Sequence, residues 1–226
     1  MTTLIKICGL RTPDTLDAAL EAKADFVGFV FFAPSPRHVD FDAARLLGRQ
    51  AQGRARKVAL TVDAEDATHD AIVDALQPDM LQLHGRETPQ RVADLRTRYG
   101  LPVMKALPVE TGSDLDAVPA YAAVADWLLF DARAPRDATR PGGLGRSFDW
   151  TLLKALDPGI PFMLSGGLDP SNVADAIALT RAPGVDVSSG IESAPGVKDP
   201  LKIHAFVRAA REAGASSAKG KIVSRA

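Results

Sequence analysis

Eight times along the 226 residues, a short apolar, β-branched run is followed by a longer stretch with helical spacing. The strand-like runs fall at 4–8, 26–32, 56–62, 80–84, 103–107, 127–131, 162–165 and 185–188. The helical stretches between and after them cover 12–23, 41–50, 67–76, 89–99, 115–121, 150–156, 171–180 and 201–212. Thr12-Pro13 supplies a helix start, a capping hydroxyl followed by a proline whose missing N–H costs nothing there. Gly100 supplies a stop, since glycine takes the left-handed turn that ends a helix. The strands are apolar on both faces, as a parallel sheet covered by helices requires. An α/β fold of eight β-then-α units predicts a closed (βα)₈ TIM barrel, which leaves no strand edge open; an open doubly wound sheet is the alternative. The expected layout is one barrel over 1–213 and a small, polar, basic, flexible tail at 214–226.

The charge balance restricts the partners. Lysine and arginine number 27 against 28 acidic residues, a net charge of −1. That gives no basic footprint for nucleic acid. No run approaches the roughly 18 apolar residues of a membrane span. The start, MTTLIKICGLRTPD, is too short in its apolar part, and too broken by Lys6, for a signal peptide. Cys8 is the single cysteine, so the chain holds no internal disulfide. A reducing compartment, the cytoplasm, is expected.

A barrel strand sends alternate side chains inward and outward. With Ile5 and Ile7 facing the helices, Lys6 and Cys8 point into the barrel. By the same alternation Leu81 and Leu83 face out while Gln82 and His84 face in. Leu128 and Phe130 go outward and Asp131 inward; Val185 and Val187 go outward while Asp186 and Ser188 go inward. Lys105 has the opposite parity to Met104 and Ala106. Lys6 and Lys105 are expected to complete a charged interior layer with acids such as Asp186. Cys8, His84, Asp131 and Ser188 converge near the C-terminal strand ends, where barrel enzymes carry their active sites.

Two turns suit a phosphate. Ser165-Gly166-Gly167-Leu168 follows the seventh strand and Ser188-Ser189-Gly190-Ile191 the eighth. Small residues there let backbone N–H groups approach an anion, with Gly166, Gly167, Ser189 and Gly190 as candidates. The segment 132–148, rich in Gly, Pro and Arg, is long for a loop in a compact domain. Its Gly142, Gly143 and Gly145 are a third, weaker anion candidate.

An ordered set of short motifs runs along the chain. It comprises Lys6-Ile7-Cys8-Gly9, Ser35-Pro36-Arg37, Gln82-Leu83-His84-Gly85 and Phe130-Asp131, then Gly142-Gly143-Leu144-Gly145 with Phe148-Asp149-Trp150. Ser165-Gly166-Gly167-Leu168 and Asp186-Val187-Ser188-Ser189-Gly190-Ile191-Glu192 complete it. The set resembles the phosphoribosylanthranilate isomerase family. Two positions depart from the family pattern: Leu144 replaces a threonine and Ser165 an alanine. The resemblance implies a metal-free, cofactor-free Amadori rearrangement of N-(5-phosphoribosyl)anthranilate in tryptophan biosynthesis. Asp131 is then the general acid and Cys8 the general base; a free thiol titrates near 8.5, close enough to neutrality to accept a proton. Arg37 is the candidate for the anthranilate carboxylate, through a paired guanidinium contact. Asp186 and His84 are further candidates for substrate contact. His38, His69 and His204 read as surface residues. The expected partner is a phosphorylated small molecule, bound by a monomer or homodimer. Another phosphosugar barrel enzyme, or a non-catalytic phosphometabolite-binding barrel, are the competing readings.

Overall fold

Eight parallel strands close on themselves in sequence order, the last hydrogen-bonding back to the first. The computed structural model describes residues 3–135, 137–154 and 156–223, with side chains to 215. The strands are β1 (Leu4–Cys8), β2 (Phe26–Phe31), β3 (Arg56–Thr61), β4 (Met80–Leu83), β5 (Val103–Val109), β6 (Trp127–Ala132), β7 (Phe162–Leu164) and β8 (Gly184–Val187). The helices α1 (Pro13–Glu21), α2 (Phe41–Ala51), α3 (Asp66–Leu76), α4 (Pro89–Tyr99), α5 (Val118–Ala122), α6 (Val173–Thr180) and α7 (Pro200–Val223) follow their strands. This is the (βα)₈ barrel that the alternation predicts. Thr12 caps α1 with Pro13 behind it, and Gly100 ends α4 at φ 61°. None of the helices searched among the described residues is long and apolar enough to cross a membrane.

Strand alternation sorts the core into two compartments. Phe26, Val58, Met80, Met104, Ala106, Leu129 and Met163 cluster inside the barrel. Ile5, Ile7, Leu81, Leu83, Leu128, Phe130, Val185 and Val187 point outward and pack against helix residues such as Leu16, Leu47, Ile72 and Phe206. Each large side chain buried this way contributes about 1.5–3 kcal/mol relative to exposure. This part of the interior is therefore apolar.

Several elements differ from the sequence expectations. The run 115–121 forms a 3₁₀ turn (Gly112–Ala117) leading into the short α5, with Pro119 in its first turn. Among its described residues, the run 150–156 gives only a 3₁₀ turn, Trp150–Leu153, capped by Asp149. Helix α7 continues past residue 213 to Val223; residues 224–226 of the expected tail lie outside the described residues. A hairpin of β9 (Glu192–Ala194) and β10 (Val197–Lys198) follows β8, its strands too short to leave a period-two pattern. His69 is buried, not at the surface, with Nε2 3.2 Å from Thr61 Oγ1 and Nδ1 3.1 Å from Glu65 O.

Lys105 is the largest correction. Met104 and Ala106 take the barrel interior, so Lys105 points out among the helices with Val103 and Leu107. There it pairs with Glu87 at 2.8 Å and donates to Leu83 O and Gly85 O, at 3.2 and 2.7 Å. It does not belong to an interior charged layer.

Candidate active site

The upper end of the barrel opens into a cavity of about 790 Å³, counting its mouth. Cys8, Arg37, His84, Asp131, Gly166, Gly167, Asp186 and Ser189 all line it. Gly190 does not. A side chain there would strike Leu168 O, so its smallness lets the β8 turn close against the β7 turn. Val30, Leu60 and Val62 supply an apolar side to the same cavity.

Cys8 ends β1, paired in register with Gly28 on β2. A Cβ on Gly28 would sit 3.0 Å from Cys8 Sγ and 3.2 Å from Lys6 Nζ, so the glycine makes room for both groups. Lys6 is fully buried and donates to Asp186 Oδ1 at 2.8 Å across the β1–β8 seam. Asp186 Oδ2 also accepts from Ser165 Oγ at 3.4 Å. Burial pushes the Cys8 thiol up from its ordinary value; the neighbouring Lys6 ammonium pulls against that shift without cancelling it. Burial would lower Lys6, but Asp186 and Cys8 outweigh it and hold the ammonium above its ordinary value. Asp186 is thus first a partner of Lys6 at the cavity floor.

Asp131 lies near the end of β6, and its Oδ1 accepts the Ala132 N–H at 2.9 Å. Its Oδ2 is 3.3 Å from His84 Nε2. His84 Nδ1 lies 3.2 Å from Gln82 Nε2, placing Gln82, His84 and Asp131 in one line. Beyond Ala132, which ends β6, segment 132–148 is irregular along its described residues and crosses over these groups. A Cβ on Gly142 would come 2.5 Å from Asp131 Oδ2 and 2.8 Å from His84 Nε2. One on Gly143 would come 2.5 Å from Arg37 Nη1. The glycines of this segment therefore permit a close backbone approach to the acid and the guanidinium.

Gly166 and Gly167 carry φ of +83° and +70°, the left-handed region that glycine enters without strain. Asn172 donates to Gly167 O at 2.9 Å and fixes that turn just before α6. A 3₁₀ turn, Ser189–Ile191, follows β8. Both turns line the same cavity, and small residues in such turns let backbone N–H groups approach an anion.

Arg37 sits in the loop after β2 and is 4% exposed. It is not an open fork. Its Nε and Nη2 donate to Glu192 Oε1 and Oε2 at 2.7 and 2.8 Å, and Nη2 donates to Gly143 O at 3.1 Å. Lys198 Nζ donates to the same Oε1 at 2.7 Å, and to Ser188 O and Oγ at 2.9 and 3.1 Å. Burial would raise the Glu192 carboxyl, but Arg37 and Lys198 overcome it and hold the group below its ordinary value. Burial lowers Lys198 to about 8, with Glu192 opposing. Sequence reasoning missed Lys198 altogether and met Glu192 only as the end of a motif. The one available signal was their six-residue spacing across Gly196, whose φ of +81° turns the hairpin.

A family model described as N-(5'phosphoribosyl)anthranilate (PRA) isomerase matches residues 5–209. An N-(5'-phosphoribosyl)anthranilate isomerase of Bradyrhizobium diazoefficiens is 65% identical over 211 residues, 93% of this chain and 95% of the relative. The crystal structure of phosphoribosyl anthranilate isomerase from Thermotoga maritima superposes with a TM-score of 0.84 at 32% identity, covering 93% of this chain and 99% of that one. A phosphoribosyl anthranilate isomerase solved in complex with reduced 1-(o-carboxyphenylamino)-1-deoxyribulose 5-phosphate gives a TM-score of 0.81 at 30% identity, with coverage of 93% and 99%. With a closed barrel, a cavity at its C-terminal mouth, and matches over almost its whole length, the chain belongs to the N-(5'-phosphoribosyl)anthranilate isomerase family.

Proposed function

We propose that this chain converts N-(5-phosphoribosyl)anthranilate into 1-(2-carboxyphenylamino)-1-deoxyribulose 5-phosphate, an Amadori rearrangement in L-tryptophan biosynthesis, with Asp131 as general acid and Cys8 as general base. The observation that carries the assignment is that a thiol from β1 and a carboxyl from β6 line one cavity with the two glycine turns. Family membership supplies the reaction.

The phosphate rests on the turns of Gly166, Gly167 and Ser189, with Gly190 letting them meet. The sugar then lies between Asp131 and Cys8. Asp131 gives its proton to the ribose ring oxygen, the bond from that oxygen to C1 breaks, and the nitrogen lone pair forms a Schiff base. The Cys8 thiolate takes the proton from C2, and the released electron pair gives the enolamine. A proton added at C1 and loss of the proton on the C2 hydroxyl yield the ketone. Hydrogen moves from C2 to C1 with no net redox partner, so two positioned side chains suffice. The loop over Asp131 and His84 keeps water from the Schiff base. Arg37 receives the anthranilate carboxylate, and His84 and Asp186 border the sugar. A working free thiol fits a reducing compartment, the cytoplasm, and a monomer or homodimer suffices because one chain supplies every group named.

Complementation of a tryptophan auxotroph lacking only this isomerase tests the reading. Wild type is expected to rescue growth, and Cys8→Ala and Asp131→Ala to fail. Growth with Asp131→Ala would remove the acid assignment.

A further inference from the structure

Arg37 and Glu192 by themselves make a closed pair. A guanidinium already held through two nitrogens by one carboxylate is electrically balanced and has little pull on a second carboxylate. Lys198 changes that balance. It shares Glu192 Oε1 with Arg37, and the side chains of all three are at least 95% buried. Two cations on one carboxylate leave the cluster with one unit of positive charge, in a wall where little water reaches it. Such a charge is costly to bury unless an anion meets it. Lys198 itself is not among the residues lining the cavity, whereas Arg37 is. The charge is therefore available only through Arg37, at the Nη1 side that faces Gly143.

We propose that Lys198 is a specificity-determining positioning residue: by neutralising Glu192 it leaves the charge of Arg37 free for the aromatic carboxylate of the substrate, which it never touches. The carboxylate is then met at one guanidinium edge rather than by the paired fork that the sequence suggests, because Nε and Nη2 are already committed to Glu192. The same lysine holds Ser188 O and Oγ, so the segment entering the phosphate turn and the carboxylate-binding arginine share one anchor. The inference rests on the reading that Arg37 receives the carboxylate, and the test separates the two.

The experiment compares N-(5-phosphoribosyl)anthranilate with N-(5-phosphoribosyl)aniline, which lacks the carboxylate. The ratio of the two kcat/KM values cancels the fraction of active enzyme, so a poorly folded variant still gives a reading. In Lys198→Met the ratio is expected to fall about ten-fold or more, chiefly through a higher KM for the carboxylated substrate. Glu192→Gln added to Lys198→Met again leaves Arg37 unbalanced, and is expected to restore part of the ratio. Equal losses on both substrates in Lys198→Met, or no recovery in the double variant, would overturn the proposal. Arg37→Met assigns the failure. A ratio lowered by Arg37→Met but not by Lys198→Met sinks the role of Lys198 alone. A ratio unmoved by Arg37→Met sinks the carboxylate reading itself.

Discussion

Lys6 Nζ lies 2.8 Å from Asp186 Oδ1, fully buried, beside the thiol of Cys8. Burial raises Cys8, and the Lys6 charge is the largest opposing influence, with Lys198 aiding it and Asp186 working against it. Replacing Lys6 with Met leaves Asp186 uncompensated and removes that opposition. The thiolate fraction at neutral pH then falls about ten-fold for each unit by which the thiol rises further. The expected result is a lower kcat/KM at pH 7 and a deficit that shrinks as pH rises, read from a pH–rate profile. A deficit constant across pH would show that Lys6 acts only on packing.

Asp131 is tested directly by a shape-preserving change. Asp131→Asn keeps the acceptor for the Ala132 N–H but has no proton to give. General acid catalysis contributes about 10²–10⁴-fold, so kcat is expected to fall by that order with KM little altered. Steady-state kinetics on the purified variant checks it, and a KM effect alone would move Asp131 from catalysis to binding.

Gly142→Ala probes the loop over the acid. The added methyl would lie 2.5 Å from Asp131 Oδ2, so the loop has to lift. Activity is expected to drop several-fold or more while thermal stability stays close to wild type, because Gly142 is only partly buried and lies outside the core clusters. Parallel measurement of kcat and Tm decides it. A stability loss matching the activity loss would place the glycine in the fold rather than in the site.

The Lys105–Glu87 pair makes a stability prediction independent of catalysis. Both side chains are at most 3% exposed, and Glu87 also accepts the Asp63 and Gly85 N–H groups. Removing one partner leaves a buried charge alone, so Lys105→Met is expected to cost about 3–5 kcal/mol. Urea unfolding of Lys105→Met, Glu87→Gln and the double variant completes the cycle, in which the double is expected to lose less than the sum of the singles.

The Arg37–Glu192–Lys198 cluster couples stability to pH in two windows. Glu192 titrates below its ordinary value in the fold, so its contribution is present above the unfolded value and is lost as pH falls through the lower, folded one. Lys198 titrates at about 8 in the fold against 10.5 unfolded, so the unfolded chain binds more protons between those values. From this group, stability therefore rises with pH from about 8 to 10.5. Chemical denaturation across those pH values is expected to show the stability of wild type rising relative to that of Lys198→Met, and a constant difference would remove the contribution assigned to Lys198.

Much of this molecule is written in local order. The eight alternations gave the barrel because an apolar run covered on both faces has few other places to go. Strand parity placed Lys6, Cys8, Gln82, His84, Asp131 and Asp186 inward, since each lies between apolar neighbours whose outward side was plain. Lys105 shows where parity stops: its flanking residues are apolar too, and Met104 and Ala106 took the interior instead. The run at 115–121 had helical spacing but entered its α-helix only at Val118, after a 3₁₀ turn, and the run at 150–156 folded as a 3₁₀ turn over Trp150–Leu153. Spacing specifies a face, not the hydrogen-bond partner that sets the pitch.

By itself, then, the sequence determined which residues share a face and which short motifs end the strands, because those depend on neighbours a few positions apart. Tertiary structure alone decided what Arg37 is bonded to. Glu192 stands 155 positions away, and barrel closure brings the two within 2.7 Å. Only that closure sets the buried balance of two cations against one carboxylate, since charge acts through distance in space and burial, and neither is fixed by order along the chain.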